Sequence, residues 1–118
     1  MMFEQNNFAV LWEQMMPEDE KFQEFAKKRY DGAAKIVKMA KQKGGAAMLT
    51  YHHFKVKLPH YKKAMQGKFD AAEAKKHLKD LTKELNAAIN SSVKMQQIEF
   101  QKKMGLIEVL GELIIKMQ

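Results

Sequence analysis

Apolar side chains return every three or four residues through most of this chain of 118 residues. The longest such series covers 36 residues in ten steps, which is the period of an α-helix. Its positions, at which Gln97 is the one polar side chain, are Leu78, Leu81, Leu85, Ile89, Val93, Gln97, Phe100, Met104, Ile107, Gly111 and Ile114. The pattern predicts an all-α fold.

Proline and glycine divide this pattern into segments. Pro17 is followed by three acidic residues, which favour the positive end of a helix dipole and predict the start of a long amphipathic helix. Gly44 and Gly45 are its expected end. A shorter helix is predicted before it, on Phe8, Leu11, Trp12 and Met15.

A second proline interrupts the middle of the chain. Thr50 is the expected cap of the next helix, whose apolar series crosses Pro59. Because proline removes a backbone donor and crowds the preceding turn, we expect a kinked helix or two short helices that meet at Leu58.

Two architectures remain open for the last part of the chain. Asp70 and Glu73 form an Asp-x-x-Glu capping box that predicts a helix start. Asn90, Ser91 and Ser92 are weak helix formers and predict a turn between two helices, with Ser91 or Ser92 capping the second. The unbroken period also fits one long C-terminal helix. We favour the helical hairpin, within a bundle of four or five helices that forms one domain over residues 1–118.

Composition limits the classes of protein that remain. The chain has no cysteine, so it has no disulfide and no thiolate site, as is typical of a reducing compartment. No stretch approaches 18 uncharged apolar residues, which excludes a membrane-spanning helix. We therefore expect a cytoplasmic protein with no membrane partner. The sequence contains no glycine-rich phosphate loop, and we expect no cofactor.

Positive charge is concentrated in the middle of the chain. Residues 35–83 hold thirteen basic and three acidic side chains, whereas the whole chain has a net charge of +7. Four lysines in an aromatic segment are the candidates for contact with a polyanion or nucleic acid: Lys55, Lys57, Lys62 and Lys63. Arg29 is the only arginine, so base-specific recognition is not expected.

Candidate metal ligands follow one face of the helix after Asp70. They are Glu73, His77, Asp80 and Glu84, at steps of four, three and four. Lys76 and Lys83 flank this row, so we interpret it as an exposed, salt-bridged face rather than a metal site. His53 and His60 are seven residues apart, too far to share one ion on a straight helix.

The end of the chain is apolar around nearly the whole helix. Such a helix is buried on most sides, either within its own bundle or against a second copy. The candidate self-association residues are Leu106, Ile107, Leu110, Leu113 and Ile114. We expect a non-enzymatic interaction protein that forms a homodimer and can bind another protein. A polyanion-binding module is the alternative, and a metal-dependent enzyme is the third hypothesis.

Overall fold

A computed structural model describes residues 18–90 and 95–118 of the chain. These residues form five helices and no strand: α1 (Glu18–Lys43), α2 (Ala47–Lys55), α3 (Leu58–Met65), α4 (Ala71–Asn90) and α5 (Gln97–Met117). The predicted all-α bundle is therefore confirmed. The helix predicted on Phe8, Leu11, Trp12 and Met15 lies outside the described residues.

Paired glycines end α1 and start α2. Gly44 and Gly45 have φ angles of 64° and 55°, a left-handed conformation that glycine adopts without strain. The carbonyl oxygen of Gly44 accepts a hydrogen bond from the amide of Ala47 at 3.1 Å. Because this backbone turn satisfies the first amides, α2 begins before Thr50, and the prediction that Thr50 caps it is wrong.

Pro59 separates α2 from α3, as predicted. Helix α2 ends at Lys55 and α3 begins at Leu58, with the proline at its second position. Proline is tolerated there because the first amides of a helix have no partner within the helix. Of the two predicted arrangements, the pair of short helices is the one observed.

The last two helices form the favoured hairpin, and the single long helix is wrong. Helix α4 ends at Asn90, and Gln96 has extended backbone, with a φ of −65° and a ψ of 147°. An ion pair between Lys103 of α5 and Glu84 of α4 joins the two helices side by side. The predicted caps Ser91 and Ser92 lie outside the described residues.

Helix α5 occupies the centre of the fold and packs against all four other helices. The side chains of Val109, Leu110 and Leu113 are the largest that are fully buried among the described residues. Gly105 lets α2 approach closely, because a Cβ atom there would overlap the carbonyl oxygen of His53 and lie 2.7 Å from Cγ2 of Val56. Over residues 18–90 and 95–118, no helix is both long and apolar enough to cross a bilayer.

Candidate functional site

Polar side chains line the contact between α2 and α5. The ring of His53 bridges two residues of α5: Nδ1 lies 2.9 Å from Oε1 of Gln101, and Nε2 lies 2.9 Å from Oε2 of Glu108. The ammonium group of Lys57 donates a hydrogen bond to Oε1 of the same Glu108 at 3.1 Å. One carboxylate of α5 therefore contacts both α2, through His53, and the residue that precedes α3, Lys57.

The same arrangement continues into α3. The hydroxyl of Tyr61 donates a hydrogen bond to Oε1 of Glu112 at 2.7 Å, and Nε of Arg29 lies 3.6 Å from the same oxygen. Burial, together with the hydrogen bond to the Glu112 carboxylate, raises the pKa of Tyr61 well above its usual value. The phenol therefore stays neutral and remains a donor throughout the physiological range.

These contacts form a structural connection rather than a reactive centre. A His–Glu pair resembles part of a catalytic triad, but both ring nitrogens of His53 are already occupied by Gln101 and Glu108. No nitrogen is left to take a proton from a substrate. The residues instead fix α2 and α3 against α5, with residues 48 to 55 positions apart in sequence held together.

The four predicted polyanion-binding lysines do not form one surface. The side chain of Lys57 is only 8% exposed and is paired with Glu108, so its charge is already compensated within the chain. The ammonium group of Lys55 donates a hydrogen bond to the hydroxyl of Tyr51 at 2.8 Å. Lys62 and Lys63 are exposed on α3. Three of the four therefore remain accessible to a partner.

The predicted metal-ligand row belongs to α4, but its members do not converge. Asp80 is exposed, and Glu84 is paired with Lys103. In the part of the chain that the structure describes, no three His, Asp or Glu residues are grouped to hold a metal ion.

His77 instead approaches His60 of α3. Their ring centroids lie 6.3 Å apart, beside an open pocket. Burial lowers the pKa of His60, and the nearby His77 and Lys63 lower it further. Sequence spacing could not predict that His60 lies near His77, because it does not indicate that α3 and α4 approach each other.

The predicted self-association residues divide into two groups. Leu110, Leu113 and Ile114 are buried in the core of the single chain and contribute little exposed apolar surface. Leu106 and Ile107 are half-buried and pack on the edge of that core. The alternative, that α5 is the central helix of its own bundle, accounts for the first three.

A different row of apolar residues follows the less buried side of α5, with Ile107 at the edge of the core. We call it the outer stripe, and its members are Phe100, Met104, Ile107, Gly111 and Ile115. Their steps of four, three, four and four keep them on one side of the helix. Ile115 is 74% exposed and Phe100 is 39% exposed, while the other three are half-buried. The sequence alone could not separate this stripe from the core side, because both are apolar.

No protein family, curated protein or solved structure shows a significant match to this chain. Its function is therefore inferred from the outer stripe of α5 and from the exposed lysines.

Proposed function

We propose that this protein is a non-enzymatic interaction protein of the cytoplasm that forms a homodimer through the outer stripe of α5. The observation that supports the proposal is the exposure of an apolar row along the central helix. Apolar side chains that stay in contact with water on one continuous helix face are typical of a surface that pairs with another protein. The absence of cysteine is in keeping with a reducing compartment.

Charge favours a second copy on this surface. Each copy has a net charge of +7, so two copies repel one another over most of their surfaces. None of the residues of the outer stripe is charged. Two copies therefore meet there with the least electrostatic cost and remove apolar area from water.

The order of residues along the stripe suits a two-fold symmetric pair. When two α5 helices pack antiparallel about an axis between Ile107 and Glu108, Phe100 lies opposite Ile115 of the second copy. Met104 then lies opposite Gly111, where a Cβ atom would meet no atom within 4 Å. A large side chain opposite a small one on each side of the axis gives the self-complementary surface that two-fold symmetry requires.

The proposal is tested by measuring molar mass with light scattering after size exclusion. We expect twice the chain mass of 13.7 kDa at micromolar concentration. Replacing the two most exposed stripe residues, Phe100→Ser with Ile115→Ser, should give a monomer that keeps its helical circular dichroism.

Matched control variants are available elsewhere on the surface. Met39 and Ile89 are 58% and 74% exposed and lie on α1 and α4. Met39→Ser with Ile89→Ser should leave the dimer intact. A monomeric native protein, or a control pair that dissociates the dimer as fully as the stripe pair does, would contradict the proposal.

A further inference from the structure

The first three helices carry an unusual run of uncompensated positive charge. Between Asp31 and Asp70 there is no acidic residue, whereas the same 38 residues contain nine lysines. Lys57 is paired with Glu108, and the other eight are exposed. Among the described residues, none of those eight has a carboxylate within salt-bridge distance. This part of the surface therefore attracts anions.

Lys55 lies beside the partly exposed ring of Tyr51 on α2, and α1, which carries three more of these lysines in succession, packs against α2. Lys35, Lys38 and Lys41 follow one another at three-residue steps on α1, which makes them neighbours on its surface. The charge of Lys41 reaches Tyr51 of α2, whose pKa is lowered chiefly by the hydrogen bond from Lys55 and further by that charge. We call these five residues the basic patch.

Tyr51 differs from the other aromatic residues of this segment. Tyr61 is buried, and Phe54 packs against the core. Tyr51 is half-exposed, and its ring lies 5.1 Å from that of His52 in an edge-to-face arrangement. It is therefore an aromatic surface on which a flat ligand can stack between positive charges.

We infer that the basic patch binds single-stranded nucleic acid without sequence specificity. Lysines that track a phosphate backbone, together with an aromatic ring that stacks on an unpaired base, are the two elements of such binding. The bases of a duplex are already stacked on one another and offer no free face to Tyr51. Lysine acts as a point charge, so discrimination between bases is not expected.

A lipid bilayer is a less suitable partner for the same charges. Peripheral binding needs several apolar side chains that enter the bilayer beside the lysines. On α1, α2 and α3, Met39 is the only large hydrophobic residue that the structure shows as exposed. The polar, aromatic character of the patch therefore favours nucleic acid.

The inference is tested by fluorescence polarisation with a labelled oligouridylate over a range of salt concentrations. In the variant with Lys38→Gln, Lys41→Gln and Lys55→Gln, affinity should fall about tenfold at low salt, because the three contacts supply much of the charge. The slope of log affinity against log salt should decrease by about 2, at roughly 0.7 for each lost phosphate contact.

A control variant separates the patch from net charge. Lys75→Gln, Lys79→Gln and Lys83→Gln remove the same charge from α4, where acidic residues are interspersed. This variant should bind within about threefold of the native protein, as expected for lysines that touch no phosphate. Equal losses in the two triple variants would overturn the inference, because binding would then depend on total charge alone.

Stacking is tested at Tyr51. Tyr51→Ala should weaken binding about fivefold or more, while Tyr51→Phe, which keeps the ring, should bind like the native protein. Circular dichroism and thermal melting check that each variant is folded. The inference fails if Tyr51→Ala binds like the native protein, if a duplex of the same length binds as tightly, or if phosphatidylserine vesicles bind and the oligouridylate does not.

Discussion

Gly105 sets the distance between α2 and the central helix. A Cβ atom at this position would overlap the carbonyl oxygen of His53, which is backbone and cannot rotate away. Gly32 of α1 offers a contrast, since a Cβ atom there meets no atom within 4 Å. Gly105 is therefore required for the close packing of two helices, whereas Gly32 has no neighbour that a methyl group would displace.

We expect Gly105→Ala to lower the free energy of unfolding by about 1–3 kcal/mol or more, because the two helices must move apart. Gly32→Ala should raise it by about 0.5–1 kcal/mol, since alanine favours a helix more than glycine does. Urea unfolding measures both. Equal effects of the two substitutions would contradict the close contact at Gly105.

Local rules predicted some residues correctly and could not predict others. Asp70 was predicted to cap α4, and its Oδ1 accepts hydrogen bonds from the amides of Ala72 and Glu73 at 3.0 and 3.2 Å. These hydrogen bonds join residues two and three positions apart, so a local sequence pattern is enough to predict them. Lys57 was assigned to the surface because its partner Glu108 is 51 positions away and no sequence pattern connects them.

At the scale of elements, α3 and α4 meet through two histidines. The pocket beside His60 and His77 is also lined by Lys63, Lys68, Asp70 and Glu73. The burial that lowers the pKa of His60 means that the folded protein favours its neutral ring. An unfolded chain carries a solvated histidine, which takes up a proton at higher pH than the folded one does.

The free energy of unfolding should therefore decrease as the pH falls from about 7.5 to about 5, because protons bind the unfolded chain first near pH ~6.5. His60→Gln should reduce this decrease, and Lys63→Gln should reduce it by less. Thermal melting at a series of pH values measures the effect. Identical pH dependence in the native protein and His60→Gln would show that His60 is not its source.

Element boundaries were predictable where glycine, proline or a side-chain cap determines them. Gly44, Gly45 and Pro59 each stand at a helix boundary. The start of α2 was not predicted, because a backbone turn replaced the expected cap at Thr50. The outer stripe was also not predicted, since only the packing of α4 and α2 on α5 shows which side remains exposed.

The whole molecule is organised around α5, which has a core side and an outer stripe. The residues on its core side stabilise the fold of one chain, and the outer stripe is proposed to stabilise the contact between two chains. When the folded state is a dimer and the unfolded chains are monomers, unfolding includes dissociation, so stability depends on protein concentration.

We expect the melting temperature of the native protein to rise with concentration. Each tenfold increase favours the dimer by about 1.4 kcal/mol, because two unfolded chains form from one dimer. The variant with Phe100→Ser and Ile115→Ser should melt at the same temperature at every concentration. Differential scanning calorimetry measures both, and a native protein whose melting temperature does not change would contradict coupled folding and dimerisation.

The central position of α5 also determines when the chain can fold. It is synthesised after the other four helices, yet α2, α3 and α4 each pack on it, and their polar partners are Gln101, Glu108, Glu112 and Lys103. On the ribosome α2, α3 and α4 therefore emerge before the helix against which they pack. Since the contacts of α2, α3 and α4 with α5 join distant positions, the part of the core that α5 fills assembles only after α5 has left the exit tunnel, although α1 can already pack against α2 and α3.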